Sequence, residues 1–229
     1  MTAPLSIIIP TLNAADRLGP TLGALSDGLF ESLIRDVILT DGGSTDPVAE
    51  IADAVGARFI TGPKGRGTQL AAGAAEATGD WLLFLHADTV LSPGWAGAVR
   101  AHVAAHPDQA AYFRLGFDQG GLAARLTAGW ANFRSRIFGL PYGDQGLLIP
   151  RRLYTTLGGY PDLALMEDVA LARRIGRRRM RMLPVSAVTS AQRYVNEGWA
   201  QRGFRNLTTL LLFGLGVPAD RLARWYSRR

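Results

Sequence analysis

The sequence predicts an α/β fold built on a mainly parallel sheet. Three observations carry this. Four short apolar runs alternate with three helix-like stretches between residues 5 and 85. One of those runs, residues 81–85, is apolar throughout, as in a strand covered on both faces, where neither side needs polar residues. Finally, 48% of the 229 residues are hydrophobic. That supplies a sizeable core for one large domain or two small ones.

Residues 5–10 read as the first strand, ended by Pro10 because proline cannot donate to a central ladder. Leu18, Leu22, Leu25 and Leu29 recur at helical spacing and return the chain across the sheet. Residues 37–39 are the second strand. Asp46 and Pro47 suit an N-cap and a first helical position. Val48, Ile51, Ala52 and Val55 give the next helix its apolar stripe. Arg58–Thr61 is a short third strand, residues 70–77 a helix of small side chains, and residues 81–85 the fourth strand. This alternation predicts parallel pairing with right-handed crossovers.

Ser92 and Pro93 open a further helix, with Trp95, Ala98, Val99 and His102 on one side. His102 and His106 lie one turn apart. No carboxylate stands near them in sequence to complete a metal site, so they read as surface or helix-end histidines. After Pro107 the rhythm changes. Ala110–Phe117 reads as a strand, Leu122–Phe138 as an amphipathic helix and Leu147–Pro150 as a strand. Met166, Glu167 and Asp168 open a helix expected to end in Arg173, Arg174, Arg177, Arg178 and Arg179, where the helix dipole favours cations. Residues 180–185 form a strand, and residues 199–226 two helices split at Gly216-Val217-Pro218. No repeat or linker divides the chain. A single domain over 1–229 is expected, with halves at 1–106 and 107–229.

Composition removes several classes of function. There is no cysteine, which excludes disulfides, thiolate zinc sites and a cysteine nucleophile. The N-terminus enters strand-like sequence directly, so no leader is expected and a cytoplasmic location is. The net charge of +6 favours anionic partners. Aromatic and basic residues are not interleaved as in a nucleic-acid module, and nucleic acid is not an expected partner.

The chemistry falls on loops at strand ends. Thr11–Asn13, Asp41–Ser44 and His86–Asp88 leave the carboxyl ends of strands one, two and four. Ligands of open α/β sheets bind along that edge. A basic loop carrying Lys64, Gly65, Arg66 and Gly67 leaves strand three on the same side. His86 and Asp88, at i and i+2, would share one face of an extended strand end, and an aspartate suits a hard cation such as Mg²⁺ or Mn²⁺. The same pair also suits a packed loop histidine and a helix-capping aspartate. The set fits a nucleoside diphosphate bridged by a metal. Asp88 would hold the metal, Lys64 and Arg66 would offset diphosphate charge, and Asp41 would accept from a base or ribose group. No Gly-x-Gly-x-x-Gly follows the first strand and no Gly-Lys-Ser/Thr occurs, so dinucleotide and Walker-type sites lose their main support.

Six motifs stand in order between residues 7 and 168. They are Ile7-Ile8-Ile9-Pro10-Thr11-Leu12-Asn13, Asp41-Gly42-Gly43-Ser44-Thr45-Asp46, Gly65-Arg66-Gly67 with Gln69, His86-Ala87-Asp88, Gly143-Asp144-Gln145 and Met166-Glu167-Asp168. Singly they are weak signals; in order they are a strong one. In these motifs the chain resembles the family-2 inverting glycosyltransferases of the GT-A fold, and among them small bacterial members linked to arsenosugar biosynthesis. The resemblance implies a mixed, mainly parallel sheet flanked by helices, a nucleotide-binding half at 1–106 and an acceptor-binding half at 107–229. It implies hexosyl-type transfer from a nucleoside diphosphate sugar, with Mn or Mg as cofactor. Pro10, Thr11, Asn13 and Asp41 would hold the nucleoside, usually uridine, with Gln69 and Ala87 in the same site. Asp88 would be the metal-binding aspartate of an Asp-x-Asp motif whose first position is here His86. Asp168 would be the general base. Asp144, Gln145 and Glu167 would line the donor sugar or acceptor. Arg193, in Ser190-Ala191-Gln192-Arg193-Tyr194, sits where larger relatives carry Gln-x-x-Arg-Trp.

Two other readings compete. One is a non-catalytic nucleotide- or membrane-surface-binding module on a degenerate transferase fold, against which the intact Asp88 and Asp168 argue. The other is a nucleotidyltransferase, which would release diphosphate rather than a nucleoside diphosphate. The apolar stretch 207–217 is too short to span a bilayer. It suits a core helix, a dimer contact or, with the arginine-rich segment, a peripheral contact at the inner face of an anionic membrane.

Overall fold

The computed structural model describes residues 3–227. Its strands are β1 (Leu5–Thr11), β2 (Ile34–Asp41), β3 (Arg58–Thr61), β4 (Trp81–Phe84), β5 (Thr89–Leu91), β6 (Ala110–Phe117), β7 (Leu147–Pro150) and β8 (Met180–Thr189). They form one sheet in the order β3-β2-β1-β4-β7-β6-β8-β5. β3, β2, β1 and β4 pair in parallel, as their alternation with helices predicts. β7 then enters antiparallel to both β4 and β6. β8 runs parallel to β6, and β5 closes the far edge antiparallel to β8. Strands from both halves of the chain thus share one sheet.

The helices are α1 (Ala15–Ala24), α2 (Ser26–Phe30), α3 (Val48–Ala54), α4 (Arg66–Glu76), α5 (Trp95–Ala105), α6 (Leu122–Phe138), α7 (Arg151–Thr156), α8 (Glu167–Ile175), α9 (Gln192–Glu197), α10 (Trp199–Gly214) and α11 (Ala219–Ser227). They cover both faces of the sheet, which explains the unbroken apolar runs. On one face Leu5, Ile7, Ile9 and Leu83 pack with Leu18, Leu25, Trp95 and Val99. On the other Ile8, Ile38, Leu82 and Phe84 pack with Leu70, Ala74, Tyr154 and Leu171.

Several expectations change in detail. Pro10 does not end β1, which continues to Thr11. The Ile8 carbonyl accepts from Leu85, so Pro10 faces the same side, beyond the last β1–β4 pair at Ile8 and Phe84, where no ladder donor is required. The leucine stripe 18–29 breaks at Leu25 into α1 and α2, and Leu29 is exposed. Asp46 does not cap α3; its carboxylate accepts the Ala15 N–H at 2.8 Å and serves α1 instead. α4 begins at Arg66, four residues earlier than the apolar pattern alone suggests. α8 stops at Ile175 before Gly176, and Arg177–Arg179 form a separate 3-10 turn. β8 runs four residues past Val185. β5, α7 and α9 have no counterpart in the sequence reading; each is three to six residues long, too short for a periodic pattern to register.

His102 is a correction. It does lie in the last turn of α5, but it is buried rather than on the surface, sits edge-on to Trp81, and its Nε2 donates to the Gln109 carbonyl at 2.9 Å. Burial lowers its pKa. α10 is a second correction: it is no core helix, since only Arg202 and Thr209 along it are buried. Among the described residues no helix is long and apolar enough to cross a membrane.

Candidate active site

The first two strand ends are tied into one unit. Thr11 Oγ1 donates to Asp41 Oδ1 at 2.9 Å, and the Gly43 and Ser44 N–H groups donate to Asp41 Oδ2 at 2.9 and 2.7 Å. The Ser44 hydroxyl also donates to Asp41 Oδ1. Burial pushes this carboxyl up, but the hydrogen bonds from Ser44, Thr11 and Gly43 outweigh it and leave the pKa lowered. A carboxylate has about four acceptor positions, and protein donors fill those of Asp41. It therefore shapes its loop rather than offering a free acceptor. Asn13, at φ 49°, accepts Thr45 N–H on its Oδ1 at 2.9 Å, and its own N–H donates to Ser44 Oγ at 2.8 Å. Gln69 is buried and its Nε2 donates to the Thr11 and Thr40 carbonyls at 2.8 and 2.6 Å. Its amide N–H groups thus join α4 to the ends of β1 and β2.

Arg66 opens α4 and pairs with Glu167 at the start of α8. The Glu167 side chain is 2% exposed and that of Arg66 38%. Burial raises the Glu167 carboxyl and Arg66 opposes the rise. Glu167 is thus turned to Arg66 inside the protein rather than toward donor or acceptor, and the Arg66 charge already has a partner. Gly67 makes the approach possible. A Cβ there would stand 2.7 Å from the Pro161 carbonyl oxygen and 3.2 Å from Glu167 Cβ.

Asp168 is presented by an uncommon backbone turn, with Met166 left-handed at φ 66°. Its Oδ2 accepts the Gly143 N–H at 2.7 Å and its Oδ1 the Val169 N–H at 2.7 Å. Gly143 is the meeting point of the site: a Cβ there would lie 2.5 Å from His86 Nε2 and 3.5 Å from Asp168 Oδ2. Burial, with Arg66 and Arg193 adding, lowers the His86 imidazole to about 3, so it is neutral. Gln145 is another correction. It is fully buried, accepts from Ser135 Oγ at 2.6 Å and donates to the Phe113 carbonyl at 3.2 Å, so it anchors the 3-10 turn Gly143–Gln145 and does not line a ligand.

Around this turn four polar atoms are buried without a hydrogen-bond partner: His86 Nε2, an Arg134 amino nitrogen, the Tyr142 hydroxyl and Asp144 Oδ1. Arg134 lies over the Tyr142 ring, 3.6 Å from its centroid. Burial, then Asp168 and Asp88, raises Asp144 from 3.8 to about 6, against the pull of Arg134 and Arg66. The folded state therefore favours protonated Asp144. The stability this adds is present below about pH 4 and lost as pH rises through 6. Asp144→Asn should accordingly be more stable than wild type at pH 8, by about 1–3 kcal/mol, and close to it at pH 4. Urea unfolding at the two pH values measures this.

Asp88 stands apart. Residues 87 and 88 form a turn rather than an extended end, so His86 and Asp88 do not share a strand face. Asp88 Oδ2 lies 3.9 Å from Arg17 on α1, whereas His86 faces Gly143. Among the described residues no group of three or more His, Asp or Glu side chains forms a metal cage. A single accessible carboxylate fits a hard cation that draws its other ligands from water and a diphosphate. The Ala87 carbonyl accepts from Thr21 Oγ1 at 2.9 Å, which holds this turn against α1. Lys64 and Arg193 are both exposed.

This arrangement can be set beside known proteins. The sequence profile described as Glycosyl transferase family 2 matches residues 6–165. The chain belongs to that family. Among curated proteins, the PGL/p-HBAD biosynthesis glycosyltransferases of Mycobacterium tuberculosis and Mycobacterium bovis are 41% identical over 102 residues. That match covers 40% of this chain and only 38% of theirs. Among solved structures, S. aureus TarS (residues 1–349) has a TM-score of 0.65 at 15% identity, covering 96% of this chain and 69% of that one. Glucosyl-3-phosphoglycerate synthase from Mycobacterium tuberculosis, in complex with Mn²⁺ and UDP-glucose, has a TM-score of 0.63 at 19% identity, covering 94% and 80%. The likeness is one of fold, the GT-A arrangement.

The motifs do not single out Arg134 or Tyr142, which the structure brings to this cleft. Arg134 lay inside an amphipathic pattern that hid which face it takes. Tyr142 precedes the Gly143-Asp144-Gln145 motif directly, and that adjacency was the one signal available.

Proposed function

We propose that the chain is a metal-dependent inverting glycosyltransferase that moves a sugar from a nucleoside diphosphate sugar, UDP-linked, to an acceptor hydroxyl. One observation carries this reading: the Asp168 carboxylate, oriented by two backbone N–H groups, adjoins buried polar atoms of His86, Arg134, Tyr142 and Asp144 that have no protein partner. Polar atoms of that kind are arranged for a polar ligand.

Each Asp168 oxygen accepts one N–H and keeps a further acceptor position. An acceptor hydroxyl donates there. As its oxygen attacks the anomeric carbon, Asp168 takes the proton, the bond from that carbon to the diphosphate oxygen breaks, and the configuration inverts. Asp88 would hold a divalent ion, Mn or Mg, which would supply charge for the departing diphosphate. Lys64 and Arg193 add to that charge. Pro10, Thr11, Asn13 and Ala87 bound the nucleoside, on the loop edge that Asp41 and Gln69 hold in shape. Complexes of similar folds with Mn²⁺ and UDP or UDP-sugars support this choice of donor and metal. The subgroup likeness to arsenosugar biosynthesis rests on the motifs alone.

Titration calorimetry with UDP, GDP and UDP-glucose, in Mn²⁺, Mg²⁺ or chelator, tests the reading. UDP should bind with metal, and Asp88→Ala should weaken it by about tenfold or more. Equal affinity in chelator would remove the metal from the proposal. Failure of every nucleotide to bind would favour a non-catalytic module.

A further inference from the structure

α6 and α10 pack side by side and turn apolar stripes to solvent. On α6, Leu122, Leu126, Trp130, Phe133 and Ile137 are exposed; on α10, Phe204, Leu207 and Leu211 are, with Leu215 just past its end. Leu126 is 64% and Leu215 82% exposed. The stripes meet at Trp130 and Leu207, which line the cleft that also holds Arg134, Tyr142 and Asp144. Neither helix carries an Asp or Glu. Both helices end at the same basic segment. Arg177 Nε approaches the Arg136 carbonyl at 3.4 Å at the end of α6, and Arg173 lies 5.3 Å from the Phe213 ring at the end of α10. Arg125, Arg136, Arg173, Arg177 and Arg178 are all exposed.

We propose that the α6–α10 face docks on an anionic lipid bilayer, its apolar stripes seated in the headgroup boundary and its arginines on acidic headgroups. Two amphipathic helices with a tryptophan on the apolar side and cations at the rim have the chemistry of interfacial helices. Charge decides between occupants. A second copy docked by two-fold symmetry would present this same surface, which holds cations and no acidic residue of either helix to answer them. An anionic bilayer supplies the missing charge. The docked face would bring the cleft, with Asp168 behind it, against the lipid surface. That last step, an acceptor hydroxyl carried on a lipid, rests on the transferase reading; the docking does not.

Flotation of the full chain with vesicles tests the docking without any enzyme assay. Vesicles of phosphatidylcholine with about one third phosphatidylglycerol should carry the protein at low salt, and high salt should weaken this. Leu126→Glu with Leu211→Glu should lower partitioning about tenfold or more. So should Arg136→Gln with Arg177→Gln, which leaves the apolar stripes intact and guards against a folding defect in the first pair. No flotation at low salt would overturn the proposal. So would a dimer in sedimentation velocity that the Leu126→Glu, Leu211→Glu pair dissociates, because a second copy would then own this face.

Discussion

Replacing Asp168 by Asn should lower kcat by about 10²–10⁴-fold while leaving donor affinity within about twofold. Asn keeps the shape and one acceptor oxygen, so the bond from Gly143 or from Val169 survives and the turn at Met166 stays set. What it loses is the capacity to take a proton. Steady-state kinetics with calorimetry of UDP separate the two effects. A kcat within tenfold of wild type would move the base elsewhere, and Asp144 would be the next candidate, because burial raises it into the range of a working acid–base group. A parallel fall in donor affinity would point instead to a disturbed site.

The second large effect concerns stability. Arg66→Ala strands the Glu167 carboxylate, which is 2% exposed. Removing one partner of a buried pair costs about 3–5 kcal/mol, or a fall in Tm of about 6–20 °C for a chain this long. Adding Glu167→Gln should recover much of that loss, because the remaining amide needs no counter-charge. The sign with pH follows. Without Arg66, Glu167 is a buried acid with a raised pKa, so the single variant should regain stability as pH falls and carboxyl protonation removes the charge. Melting curves of wild type, single and double variants decide it. If the double variant is no more stable than Arg66→Ala, the pair is not what fixes α4 to α8.

The parallel strands were legible because each is a bounded apolar run followed by helical periodicity. The antiparallel entry of β7 between β4 and β6 was not, since its partners lie tens of residues away and nothing local encodes the order. The motifs pick out residues of the candidate site but not the direction of their side chains. Gln69 and Gln145 stand within the motifs yet turn inward onto backbone carbonyls. Glu167 and Asp168 are neighbours on one helix, and the helical turn sends the first into the core and leaves the second half-buried. Arg134 and Tyr142 enter the site only through the packing of α6 over the Gly143 turn, which no spacing rule records.

The topology also sets the order in which a growing chain can finish the site. β1, β2, β3 and β4 can pair as soon as they leave the ribosome, because local crossovers join them. β5 must wait for β8 before the far edge closes, and Arg66 must wait for Glu167, a partner 101 residues later. The edge proposed to hold the nucleotide can therefore take shape early in synthesis, while the carboxylate proposed for proton transfer arrives only with the last third. Contacts at that separation slow folding, so the half-made chain should present the proposed donor edge before the carboxylate that would act on a donor is in place.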